Sequence, residues 1–268
     1  MALRVWSVLG RPGLETSLLA RLLSARLRGQ LLSVPDAAAA EVTHGTHAGQ
    51  QLVALAQSNV PGTLLPSPLV HTLVQDPLRR AVETASDGRA KPTLVLSGFP
   101  RTTDQVRMLQ MAGVPPPRVL VLGATREEAE RRLAARRVCA TCGEPMHELP
   151  PAKDAPAGAP PLFAHMVDES DCEAPSPVRA AADEPAAAAH RLDQYEAHTA
   201  PLLEALRAGG ASAVLDVAVA DRVEDTWERL EQAVGLEPLR PPEGAATERE
   251  ATAAKAKAAA AALAAANL

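Results

Sequence analysis

The sequence predicts an α/β fold, a doubly wound parallel five-stranded sheet with helices on both faces and a ligand crevice at the strands' carboxyl ends. Two observations lead there. Four short apolar runs lack the polar alternation of half-exposed strands, at residues 4–9, 93–96, 118–122 and 213–217, and residues 31–33 supply a fifth. Segments of helical periodicity lie between them, and Pro or Gly stands at most boundaries.

Taken in order, strand 4–9 ends in Gly10-Arg11-Pro12-Gly13 and runs into a helix over 14–28. That strand, glycine turn and helix order turns backbone N–H groups and a helix N-terminus toward a phosphate-sized anion. Strand 31–33 opens a small lobe, residues 31–70, with a helix at 50–57. A helix over 68–85 leads back to strand 93–96, which delivers Gly98-Phe99-Pro100-Arg101 ahead of a helix at 103–111. Strand 118–122 precedes a charged helix over 126–137. Residues 138–183, rich in Pro, Ala and Asp, break the pattern and read as an inserted lobe or a long ordered loop. A helix over 185–208, strand 213–217 and a helix over 222–234 complete a domain of residues 1–235. The remainder, 236–268, is Ala-rich, with high helix propensity and no large apolar face. Such a helix is marginal alone in water, so it is expected to dock on a partner.

Composition narrows the function classes. The 268 residues are 47% hydrophobic, enough for one sizeable domain with inserts. Lys and Arg total 27 against 32 Asp and Glu, a formal net charge of −5, with aromatics at 2%, so no nucleic-acid platform is expected. No apolar run is long enough to span a bilayer, and no secretory signal stands out. Three cysteines, Cys139, Cys142 and Cys172, cannot build a disulfide framework. Two of them form a C-x-x-C pair, which favours a reducing, intracellular compartment and a present or former metal knuckle.

The most specific stretch is Gly98-Phe99-Pro100-Arg101-Thr102-Thr103-Asp104-Gln105, set directly after a buried strand. It resembles the signature of adenylate kinases, nucleoside monophosphate kinases of the P-loop type with an acceptor lobe and a lid insert. The resemblance implies that Arg101 grips the phosphate of the acceptor and Gln105 reads its adenine. His44-Gly45-Thr46-His47-Ala48-Gly49 is similar to the turn between the acceptor lobe's small helices, and Gly62-Thr63-Leu64-Leu65-Pro66 to the segment lining the acceptor's adenine. Arg132, Arg136 and Arg137 resemble the arginines that enter the lid, and Arg191 stands in the long helix after it. Cys139-Ala140-Thr141-Cys142 looks like the first half of the zinc knuckle of some family lids. Cys172 has no second ligand two residues on, and His147, His165 or Asp171 could complete a set. Zinc and a collapsed lid with free thiols both stay open.

Departures from the family's pattern fall on its chemistry. After Gly10 and Gly13, Glu15 stands where a glycine is expected, Thr16 for the lysine that meets the β and γ phosphates, and Leu18 for a hydroxyl residue. Ser97 replaces the Asp that organises water around magnesium. Val34, Pro35 and Ala39 replace a Thr, a Gly and a phosphate-gripping Arg, and Ala180 another arginine, with Arg179 one place away. Phosphoryl transfer is positioning and electrostatics, so these losses remove most of the means of catalysis. Glu15 could still swing outward into solvent. What survives is Gly10, Gly13, Arg101, Gln105, Arg132, Arg136 and Arg191, either a weakened monophosphate site or arginines that now serve as ion-pair partners.

Three functions follow from the resemblance and its erosion. One is a catalytically inactive relative serving as a structural or interaction subunit of a larger assembly, bound to other proteins through tail and lid insert and needing no nucleotide. The second is a weak kinase using ATP, AMP and magnesium, and the third a module that binds AMP without transfer. The family's occurrence in ciliary axonemes implies a cytoplasmic or axonemal setting for the first, with an organelle left open.

Overall fold

A computed structural model describes residues 3–86, 92–148, 163–165, 172, 176–210 and 213–236. The first half runs β1 (Arg4–Gly10), α1 (Thr16–Arg26), β2 (Gln30–Ser33), α2 (Val34–Thr43), α3 (His47–Ser58), α4 (Ser67–Ser86), β3 (Thr93–Ser97) and α5 (Thr103–Met111). Then come β4 (Arg118–Gly123), α6 (Arg126–Ala135) and four short strands, β5 (Arg137–Cys139), β6 (Pro145–Glu148), β7 (Phe163–His165) and β8 (Pro177–Val178). Helices α7 (Pro185–Gln194) and α8 (Ala200–Gly209), strand β9 (Val214–Ala218) and helix α9 (Val223–Val234) follow.

Strands β2-β3-β1-β4-β9 form one parallel sheet in that order, as the five apolar runs predict. Side chains such as Val8, Leu94, Val95, Leu96, Val119 and Leu120 have almost no solvent exposure, which is what burial on both faces demands. One apolar cluster packs α4 and the acceptor lobe on the sheet; another packs α1 and α9 on it. The strand order reverses across β1, so a crevice opens at its carboxyl end, between the ends of β3 and β4. A buried hydrogen bond, Ser7 Oγ to the Phe99 carbonyl at 2.6 Å, ties β1 to the loop after β3 and so to Arg101.

Local chemistry sets the helix starts. Thr46, Thr102 and Thr125 each accept a backbone N–H three residues on, from Gly49, Gln105 and Glu128. Helix α2 was not expected from periodicity, and the reason is visible: none of its residues is buried, so there is no apolar stripe to read. It forms because Ser33 caps it, Pro35 and Asp36 suit a first turn, and alanines fill the rest. The stretch after 138 holds a four-stranded antiparallel sheet, β7-β6-β5-β8, of strands only two to four residues long. The expected helix over 185–208 is split by a π turn, Tyr195–Thr199, just ahead of Pro201, which has no N–H to donate. The turn leaves Tyr195 and Thr199 lining the crevice. Residues 237–268 of the tail lie outside the described residues, as do 149–162, 166–171 and 173–175 of the insert. None of the described helices is long and apolar enough to cross a membrane.

The acceptor lobe depends on the crossing of α2 and α3. A Cβ on Gly49 would collide with the Glu41 carbonyl of α2, so Gly49→Ala is expected to force the helices apart and cost about 1–3 kcal/mol. Urea unfolding of the full chain checks this; an unchanged midpoint would contradict the packing.

Candidate functional site

The loop from β1 to α1 is shaped first by packing. A Cβ on Gly10 would lie 2.9 Å from Leu122 Cβ, and one on Gly13, at φ +91°, 2.9 Å from Leu133 Cγ of α6. Both glycines are therefore required by the sheet and by α6, whatever fills the crevice. Glu15 follows at φ 52° and ψ 36°, a left-handed conformation that costs an L side chain about 1–2 kcal/mol. Thr16 opens α1, Leu18 turns into the core at 2% exposure, and Ser17 Oγ lies 3.4 Å from Ser97 Oγ.

The Glu15 carboxylate does not swing out. Its side chain is only 14% exposed, and Oε1 accepts Arg136 Nε–H at 2.8 Å. Arg136, which links α6 to β5, donates from Nη1 to Asp183 Oδ2 at 2.8 Å, and Asp183 Oδ1 accepts Arg191 Nη1 at 2.6 Å. Asp183 has no exposed side-chain surface. The result is a chain of alternating charge, Glu15, Arg136, Asp183, Arg191, that joins the loop, the lid hinge and α7. Burial works against the charge on Arg136, but Glu15 and Asp183 together hold its pKa above the ordinary arginine value.

Arg101 is the exception. Among the described residues no carboxylate pairs with it; Nε donates to the Gly98 carbonyl at 2.7 Å. Burial first, and the charge of Arg191 second, lower its pKa from the ordinary value. Its backbone N–H donates to Gln105 Oε1 at 2.6 Å, and Gln105 is 4% exposed, so that side chain braces the Arg101 turn from within. The acceptor-lobe loop is fastened to α7: Leu64 N–H donates to Gln194 Oε1 at 2.8 Å, and Thr63 Oγ1 lies 3.0 Å from His190 Nε2. Gly10, Gly13, Glu15, Arg101, Arg136 and Arg191 thus line one cavity of about 170 Å³. That is smaller than the roughly 300–1,000 Å³ of most small-molecule sites.

Other expected residues lie elsewhere. Arg132 pairs with Glu128 of its own helix at 2.5 Å and donates to the Ala220 carbonyl at 2.6 Å. Arg179 does not take the place of an arginine at Ala180; it donates to the Ala134 carbonyl at 2.9 Å. Cys139, Cys142 and Cys172 come together with their Sγ atoms within 4.8 Å of one another, Cys139 and Cys172 at 3.6 Å. Tetrahedral zinc–thiolate geometry needs sulfurs about 3.8 Å apart, so the three fit one ion. The side chains of His147, His165 and Asp171 lie outside the described residues.

No family model matches the chain. Among curated proteins, it is 31% identical over 219 residues to an adenylate kinase of Geobacter sp. (strain M21), covering 78% of this chain and 90% of that protein. The chain belongs to the adenylate kinase family. It is also 28% identical to an adenylate kinase of Salinispora tropica over 83% of this chain and 94% of that protein. An adenylate kinase of Pyrococcus horikoshii is 25% identical over 83% of this chain and 92% of its own length. The five-stranded parallel sheet flanked by helices agrees with the P-loop nucleoside monophosphate kinase fold.

Within this adenylate kinase fold, sequence reading missed Asp183, Arg21 and Glu144. Asp183 had one faint signal, an acid two residues ahead of a helix-opening proline. Arg21 and Glu144, a bidentate pair at 2.7 and 2.6 Å, carry none, because they are 123 residues apart. Removing the Asp183 charge would leave Arg136 and Arg191 beside Arg101 with one carboxylate fewer. Asp183→Asn is expected to destabilise the protein by about 3 kcal/mol, read from denaturant midpoints; a change under about 0.5 kcal/mol would contradict the charge chain.

Proposed function

We propose that this chain is a catalytically inactive adenylate-kinase-like protein that serves as a structural or interaction subunit of a larger assembly. The observation that carries the reading is Glu15, a carboxylate paired with Arg136 at the head of the phosphate-binding loop, next to Thr16 in place of the lysine. A phosphate oxygen about 4 Å from that carboxylate would meet up to roughly 4 kcal/mol of repulsion at an effective dielectric near 20, before solvent screening and the opposing charge of Arg136 are counted. The lysine's attraction is lost as well. With Leu18 buried and Ser97 in the aspartate's place, the two side chains by which the family's pattern positions magnesium and its water are replaced. Other proteins bound through the insert and the 236–268 tail are the partners this reading requires.

A coupled assay with ATP, AMP and magnesium tests it. The purified chain is expected to form no ADP above a protein-free control, and turnover abolished by Arg101→Ala would establish a weak kinase instead. A second reading, AMP held without transfer, is favoured by one observation, the Arg101 guanidinium without a carboxylate partner among the described residues. Calorimetry separates it, since AMP would then release heat and ATP would not.

Zinc at Cys139, Cys142 and Cys172 is proposed on the sulfur spacing; as thiolates they would hold the ion, which would tie the short lid strands together. Protein purified under reducing conditions is expected to carry close to one zinc per chain, falling at least tenfold in Cys139→Ser. Three freely titrating thiols and no metal would overturn this.

A further inference from the structure

The lid insert touches the core in a second place, away from the hinge. Glu144, in the turn between β5 and β6, receives both ends of the Arg21 guanidinium, Nη1 to Oε1 at 2.7 Å and Nη2 to Oε2 at 2.6 Å. Arg21 lies on α1, six residues beyond Glu15. The β5–β6 hairpin is therefore attached to the loop and helix at both ends, by Glu15 and Arg136 at the hinge and by Arg21 and Glu144 at the tip. A two-point attachment resists the rotation that a single hinge contact permits.

The pair is built for its place. Each side chain is about one-third exposed, at 32% and 30%, and the bidentate fork fixes orientation as well as distance. The hydrogen bonds that Arg21 donates to Glu144, ahead of the Coulomb contributions of Glu144, Asp36 and Glu15, raise its pKa above the ordinary value against the pull of burial. Beneath the hairpin, a cavity of about 190 Å³ lies between Ser17, Asp36, Ser97, Glu144 and Pro145. The ion pair stands at its wall.

We infer that Arg21 and Glu144 are a latch that, with the Glu15–Arg136 pair, keeps the lid hairpin shut on α1 with no nucleotide present. The inference rests on the proposed reading that ATP does not enter the loop, because it assigns to two of the chain's own carboxylates the counter-charge that phosphates would otherwise supply. A lid that stays closed offers a partner one constant surface, as a structural subunit requires. The energetic demand is modest: tying one partly exposed pair changes the open fraction by up to about fivefold, and the hinge pair adds to it.

Hydrogen exchange by mass spectrometry on the full, nucleotide-free chain tests the latch, following peptides over residues 137–148, with β1, β3 and β4 as folding controls. In the natural chain the hairpin is expected to exchange slowly and at the same rate with millimolar Mg-ATP. Arg21→Ala and Glu144→Gln should each speed its exchange about fivefold while the control strands stay unchanged, and the charge swap Arg21→Glu with Glu144→Arg should return most of the protection. Hairpin exchange that is equal in the natural chain and both variants overturns the latch, as does exchange that slows on adding Mg-ATP. Assaying the same samples for ADP formation separates the two ideas: a loose hairpin without turnover removes the latch alone, whereas turnover removes the non-catalytic reading.

Discussion

At the bend between β1 and α1, a carboxylate lines the crevice, and a guanidinium from the junction of α6 and β5 holds it there. Glu15 meets Arg136 at 2.8 Å in a left-handed backbone conformation that a glycine would adopt without strain. The strain is tolerable because the ion pair offsets it and because Asp183 anchors Arg136 from the other side. Three elements that border the crevice are thereby tied by charges belonging to the chain itself. Most of the site's remaining features follow from that one pairing.

The distribution of charge explains why the arginines differ. Arg136 and Arg191 share Asp183 and are largely neutralised where they stand; Arg132 is turned toward Glu128 and the end of β9. Arg101 has a depressed pKa, since burial and Arg191 act on it without a facing carboxylate among the described residues. Of the three guanidiniums around the crevice, Arg101 stands without a carboxylate partner among the described residues, whereas the loop side carries the Glu15 carboxylate.

Much of the architecture could be read in the sequence because it rests on periodicity and turn chemistry. All five sheet strands lie where unalternating apolar runs place them, and α5 has the predicted bounds, since Thr102 caps it and Gly113 follows it. What could not be read has physical reasons. Helix α2 buries nothing, so an apolar-stripe criterion passes over it. The lid strands are two to four residues long, too short to carry alternation. The π turn at Tyr195 depends on how Pro201 is accommodated inside a helix that otherwise continues. At the site, the motif Gly98 to Gln105 located Arg101, but the direction of the Gln105 side chain is set by the backbone turn at Arg101, and that of Arg132 by the Ala220 carbonyl, distant in sequence. Glu15 was legible as a substitution; that its carboxylate turns inward needed Arg136 in space.

The central claim is that the chain's own carboxylate excludes the triphosphate. Calorimetric titration of Mg-ATP into the natural chain and into Glu15→Gly tests it most directly. The account predicts no heat of binding for the natural chain up to millimolar nucleotide and a measurable gain for Glu15→Gly, at least tenfold in affinity. Binding to the natural chain at or below millimolar concentration, undiminished relative to Glu15→Gly, would contradict it.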